Sequence, residues 1–174
     1  MQPKNDLPHQ VVRALKSAGK TVAAAESLTG GYIAQRLTAV PGASAVLEGS
    51  VVTYSDRIKE KLLGVCAQDL QQYTAVSEPV AAQMAQGVRK QIGADIGISV
   101  TGFAGPDGGG ELLPVGTVFL GCADETYVTV TRLHIVPPAA LSAEEQREFI
   151  RFQTTEHALQ AVLKVLEKEE NTLA

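Results

Sequence analysis

Apolar positions along this chain follow two rhythms, one helical and one strand-like. Val11, Val12 and Leu15 share a helical face, which predicts a helix over residues 9–18 that Gly19 stops. The unbroken apolar run at residues 21–25 has the pattern of a buried strand. Ile33 and Leu37 return to helical spacing, so the chain turns from strand to helix between these two runs. Pro41-Gly42-Ala43 reads as a turn. Residues 46–54, rich in Val, Thr and Tyr, predict a second strand with Gly49 as a bulge. Asp56 is placed to cap a short helix that Gly64 ends. Val80, Met84, Val88 and Ile92 stripe a longer helix beginning near Glu78, with Pro79 in its first turn.

The second half continues the alternation. Residues 95–100 predict a strand that runs into the glycine-dense segment 101–110. Two further strands, 115–123 and 127–135, are expected as a pair joined at Asp124-Glu125. Ser142 and Glu145 form a capping-box pattern that opens a long helix, packed through Leu159, Val162, Leu163 and Leu166. Its tail, from Glu167, is polar and expected to fray, as is the N-terminus. With 174 residues, no internal repeat and no linker, the chain reads as a single domain, residues 1–174, with a core over about residues 10–165. Strands alternating with helices imply an α/β layered fold, and the final strand pair implies a mixed sheet.

Composition narrows the partners. The chain is 45% hydrophobic and 20% charged with a net charge of −4, and no basic block points to nucleic acid. No apolar run reaches membrane-spanning length, and the first residues lack a signal-peptide pattern. Cys66 and Cys122 have neither metal-ligand nor disulfide spacing, so a reducing, cytoplasmic setting and two buried, inert thiols are expected. Gly19-Lys20-Thr21 is not a phosphate loop: Ala14 stands where that motif needs glycine, and a helix precedes it instead of a strand.

Chemistry concentrates at three turns, residues 26–31, 54–59 and 101–110, each following a predicted strand. If those strands are parallel, Ser27, Tyr54 and Thr101 face one crevice at the edge where open α/β sheets bind ligands. Ser27 sits between strand and helix beside Thr29, Gly30 and Gly31. Free amides at the helix N-terminus there would stabilise an oxyanion, while the plainer reading makes Ser27 or Thr29 a helix cap. His9, His134 and His157 all lie away from these turns, which argues against a Ser-His-Asp triad. A lysine is the better base, because burial disfavours its charged form. Lys59 and Lys61 both qualify; about 200° apart on a helix, only one can point into the crevice.

Several ordered motifs carry a family resemblance. Residues 25–31, Ala-Glu-Ser-Leu-Thr-Gly-Gly, are followed by Leu37-Thr38-Ala39-Val40-Pro41-Gly42-Ala43-Ser44 and by Val52-Thr53-Tyr54-Ser55-Asp56 with Lys59. Then come Leu62-Leu63-Gly64-Val65, Ala75-Val76-Ser77-Glu78, residues 101–109 from Thr101 to Gly109, and Pro114-Val115-Gly116-Thr117-Val118. This set resembles the CinA C-terminal domain family, also known as nicotinamide-nucleotide amidohydrolases. The resemblance implies a single-domain α/β/α layered sandwich with a mixed, mostly parallel sheet. It implies hydrolysis of the carboxamide of nicotinamide mononucleotide (NMN) to nicotinate mononucleotide and ammonia, with no metal or other cofactor. It places the nucleophile at Ser27 with Tyr54 and Lys59 as partners, thereby choosing Lys59 over Lys61. Thr29, Gly30, Gly31, Thr101, Gly102 and Gly105 are the expected ligand-binding backbone, and Arg147 and Arg151 the expected phosphate ligands.

The same resemblance implies a stand-alone form of the domain; a homo-oligomer is expected, and charge and apolar-run length argue against a nucleic-acid or membrane partner. The chain departs from the family pattern at Leu28, where Cys is frequent, at Asp56, where Asn is frequent, and before Arg147, where Gly-Asp is missing. The alternatives are a catalytically lapsed nucleotide-binding or competence-associated module, and a hydrolase of another small amide.

Overall fold

The computed structural model describes residues 6–173, with side chains through Lys168. The expected signal-free, frayed N-terminus therefore lies mostly outside the described residues. Helix α1 (Leu7–Ala18) starts at Asp6, whose carboxylate accepts from the His9 amide, and ends at Gly19 in the left-handed region. Strand β1 (Val22–Glu26) is buried at all five positions, as a central strand should be. Helix α2 (Tyr32–Thr38) and a 3-10 turn (Ala43–Ala45) lead into strand β2 (Leu47–Val52). Helices α3 (Asp56–Leu63), α4 (Ala67–Tyr73) and α5 (Glu78–Ile92) precede strand β3 (Ile96–Gly102). Strands β4 (Thr117–Ala123) and β5 (Val128–His134) and helix α6 (Ala143–Leu173) complete the chain.

The strands form one sheet in the order β2-β1-β3-β4-β5. Strand β1 is parallel to both β2 and β3, whereas β4 is antiparallel to β3 and to β5. Four strands thus point one way and β4 points back. Successive residues of β1 face opposite layers. Ala24 packs with Val11, Leu15, Ile33, Leu159 and Val162 of α1, α2 and α6. Ala23 and Ala25 pack with Leu63, Leu70, Val80, Met84 and Val88 of α3, α4 and α5. The domain is therefore a single-domain α/β/α sandwich with a mixed sheet, as the sequence implied.

Small residues let α5 lie close to the sheet. A Cβ at Gly97 would come within 2.2 Å of the Ala85 carbonyl oxygen, and one at Gly121 within 2.6 Å of that of Ala81. The Ser99 hydroxyl donates to the same Ala81 carbonyl at 2.6 Å. On its other side α5 meets α3 at Gly87, where a Cβ would sit 2.1 Å from the Leu63 carbonyl oxygen.

Four differences from the sequence reading stand out. The bulge expected at Gly49 falls at Glu48: Val22 aligns with Leu47 and Ala23 with Gly49, skipping one residue. Helix α4 was not foreseen; only Leu70 of its seven residues is buried, so it has almost no apolar stripe to read. Cys122 is buried as expected, its thiol pushed up to about 12 mainly by burial, but Cys66 is exposed just before α4. The capping box forms as read, with the Ser142 amide donating to Glu145 Oε2 at 2.8 Å and the Glu145 amide to Ser142 Oγ at 3.3 Å. The helix it opens stays helical through Leu173, beyond the point where fraying was expected.

Replacing a helical glycine by alanine ordinarily favours the helix by about 1 kcal/mol. Gly87→Ala is expected to do the opposite and cost about 1–3 kcal/mol, because the new methyl drives α5 from α3. The midpoint of urea unfolding measures the sign.

Candidate functional site

Three consecutive strand ends build the site. Strands β1, β2 and β3 terminate on one edge of the sheet, and the loops leaving them enclose a crevice of about 220 Å³. Ser27, Leu28, Tyr54, Lys59, Thr101, Gly102, Phe103, Asp107 and Arg147 are among its lining.

The Ser27 turn is set from behind by Glu26, the last residue of β1, which is fully buried. Its Oε2 accepts from the amides of Gly31 at 2.9 Å and Ile33 at 3.1 Å, and its Oε1 from the Ala34 amide at 3.1 Å. The Ser50 hydroxyl of β2 donates to Oε1 at 2.9 Å. One carboxylate thereby satisfies the start of α2 and ties it to β2, a stabilising position for negative charge. This corrects the expectation of free helix amides facing the crevice. The Gly30 amide is also engaged, donating to the Ser27 carbonyl at 3.1 Å. Among the described residues no hydrogen bond engages the Leu28 or Thr29 amide.

Arg151 supports the same turn from α6. Its Nε donates to the Leu28 carbonyl at 3.0 Å and its second terminal nitrogen to the Thr29 carbonyl at 2.9 Å. The remaining nitrogen pairs with Glu148 at 2.7 Å, and the guanidinium lies 4.7 Å from the Tyr32 ring centre. Arg151, expected at a ligand's phosphate, is instead occupied behind the Ser27 turn. Thr29, fully buried, and Gly30 and Gly31, both at positive φ, shape this turn and do not line the crevice.

Lys59 projects from α3 to the crevice floor. It is only 1% exposed, and its Nζ lies 3.3 Å from Ser27 Oγ and 2.8 Å from the Thr53 carbonyl oxygen. Burial pushes its pKa below the ordinary lysine value, while the negative charge of Asp56 partly opposes that shift. Lys61 is exposed, so the geometry separates the two lysines that helical spacing left open. Tyr54 stands at the rim, 63% exposed, and its hydroxyl accepts from Arg147 at 3.1 Å. Arg147 also donates to the Gly105 carbonyl, so it spans the mouth between two loops.

Thr101 lines the crevice wall and donates to the Ala75 carbonyl at 2.8 Å. Gly102 must be small: a Cβ there would meet the Thr117 carbonyl oxygen at 2.5 Å. Gly105 contributes its carbonyl to Arg147 and is otherwise buried. Glu26, Phe103 and Asp107 were missed by the sequence reading. A glutamate ending an unbroken apolar strand was the available signal for Glu26. None of the three histidines lines the crevice. Among the described residues no three His, Cys, Asp or Glu side chains are grouped to hold a metal ion, and no helix is long and apolar enough to cross a membrane.

Fold and site together define an α/β/α domain with a buried serine–lysine pair at the carboxyl edge of its parallel strands. The chain belongs to the CinA C-terminal domain family, whose model matches residues 4–166. It is 42% identical over 156 residues to the nicotinamide-nucleotide amidohydrolase PncC of Escherichia coli K12, covering 90% of each chain. It is 50% identical over 121 residues to a CinA-like protein of Gloeothece citriformis, covering 70% of this chain and 29% of that protein. The chain spans only 29% to 37% of the length of such CinA-like relatives. A solved structure of a CinA superfamily protein from Klebsiella pneumoniae superposes with a TM-score of 0.86 at 32% identity, covering 96% of this chain and 99% of that one. The competence/damage-inducible protein CihA of Agrobacterium tumefaciens gives 0.84 at 34% identity, over 92% and 93%.

Glu26→Ala leaves three amides and a hydroxyl without their acceptor and is expected to cost more than about 3 kcal/mol in denaturant unfolding. Lys59 carries a second, pH-dependent signature. Its folded pKa lies below the ordinary lysine value of 10.5, so the unfolded chain binds the extra proton between those two values. The burden of charging Lys59 is full below the folded pKa and is relieved as pH rises through it towards 10.5. Lys59→Met is therefore expected to gain stability relative to wild type as pH falls across that window, measured by paired unfolding curves.

Proposed function

We propose that the crevice hydrolyses a carboxamide by acyl transfer to Ser27, and that its substrate is NMN, yielding nicotinate mononucleotide and ammonia. The observation that carries this reading is the approach of Lys59 Nζ to within 3.3 Å of Ser27 Oγ in a buried setting. Neutral Lys59 takes the Ser27 proton, and the Thr53 carbonyl holds its amine in line. Ser27 Oγ bonds to the amide carbon, and the Leu28 amide, unbonded at the crevice wall, is the donor available to the resulting oxyanion. As the C–N bond breaks, protonated Lys59 returns a proton to the leaving nitrogen. The hydroxyl of Tyr54, whose oxygen already accepts from Arg147, has its own proton to relay at the rim. Water then cleaves the acyl-enzyme, with Lys59 again as base. No step calls for a metal or cofactor.

The 42% identity with PncC supports the choice of NMN. Arg147 is the arginine that lines the crevice, so it is the candidate for the phosphate. A second reading, a small amide without a phosphate, is favoured by the engagement of that single guanidinium with Tyr54 and Gly105.

Incubation with NMN without added metal is expected to release ammonia and nicotinate mononucleotide in equal amounts. Ser27→Ala and Lys59→Ala should each lower kcat by about 10²–10⁴-fold while remaining folded. The wild-type rate should rise with pH along a limb set by Lys59, at a pKa below 10.5, because the neutral amine is the active form. Unchanged turnover in either variant excludes this mechanism. Turnover of other amides but not of NMN moves the assignment to the second reading.

A further inference from the structure

Charge in the crevice is distributed unequally. Lys59 is shifted towards its neutral form by burial, and the Arg147 guanidinium is directed at the Tyr54 hydroxyl and the Gly105 carbonyl. Asp107 is the carboxylate of the lining, and among the described residues it forms no ion pair or hydrogen bond. The loop that presents it is tightly placed. The Gly110 amide donates to the Leu113 carbonyl at 2.9 Å, and the Gly116 amide to the Phe103 carbonyl at 2.8 Å. A Cβ at Gly108, the next residue, would come within 3.0 Å of the Phe103 ring, and Phe103 also lines the crevice. Leu28, Ala75, Val76, Phe103 and Ala104 give the rest of the wall its apolar surface. An aromatic cation entering such a space is attracted by the exposed carboxylate at its edge, by the modest amount a solvent-facing charge pair supplies.

We propose that Asp107 is a specificity-determining residue that recognises the positive charge of the substrate's pyridinium ring. The inference rests on the deamidase reading and deepens it: the crevice selects an oxidised, cationic pyridine nucleotide over its neutral dihydro form. Arg147, bonded to the Gly105 carbonyl two residues before Asp107, then shares a zwitterionic ligand with it. The anionic end meets the guanidinium and the cationic ring meets the carboxylate.

Binding separates recognition from chemistry. In a Ser27→Ala background, where ligand persists, the affinities of NMN and of its dihydro form are measured by calorimetry with and without Asp107→Asn. The expected result is that NMN binds about five- to tenfold less tightly in the double variant, while the dihydro form binds as before. Asp107→Glu should keep the preference for the cation. Asp107 is exposed and unbonded, so the melting temperature should not move. A preference unchanged by Asp107→Asn, or an equal loss for both ligands, overturns the inference. If wild type turns over NMN in that case, the deamidase reading survives alone. If neither ligand binds and wild type does not hydrolyse NMN, the deamidase reading and this inference fall together.

Discussion

A fully buried carboxylate holds this domain's site together. Glu26 ends a strand whose other residues are apolar, and it is as deeply buried as they are. Such a group requires partners, because an unsatisfied buried acceptor costs about 1–3 kcal/mol, a large fraction of a domain's net stability. Three amides from the start of α2 and a hydroxyl from β2 supply them. The consequence for Ser27 is geometric. The backbone on either side of it is fixed at Glu26 and at Gly31, so the residues between form a tight turn that presents Ser27 Oγ towards Lys59. The donors that elsewhere attract anions at a helix start are used internally here, and ligand recognition is left to side chains and to the turn's own amides.

The last helix finishes what Glu26 begins. Arg147 and Arg151 lie four residues apart, one helical turn along α6. The first reaches the crevice mouth at Tyr54 and Gly105, and the second grips the carbonyls of Leu28 and Thr29. A single helix thus sets both the rim and the rear of the site. The glycines that bring α5 against the sheet do the corresponding work on the opposite face, since α5 supports α3, which carries Lys59. Burial of Lys59 follows from that packing, and its lowered pKa follows from burial.

Much of this was readable in the order of residues. Apolar runs at β1 and β3 and stripes at α1 and α5 announced themselves, because a buried strand and a one-sided helix have different periods. The turns after the first three strands could be assigned to one sheet edge, since parallel strands end together. Helix α4 could not be read, because it packs through little more than Leu70. Cys66 was misjudged for a related reason: a single apolar side chain carries no periodicity to show which way it faces. The two arginines of α6 were recognisable as a pair with a task, but sequence spacing does not reveal which carbonyls a guanidinium will meet. Glu26 went unremarked because its four partners are distributed over α2 and β2, and nothing local to residue 26 names them. The choice between Lys59 and Lys61 needed either the family resemblance or the packed helix.

The bonds that define the Ser27 turn differ greatly in the length of chain they close. Lys59 meets Ser27 across 32 residues, whereas Arg151 meets Leu28 across 123. Loops of the second kind close slowly during folding, because their entropy must be lost before any contact compensates it. The serine–lysine geometry is therefore a property of the completed topology, because the turn that carries Ser27 is bonded to the final helix.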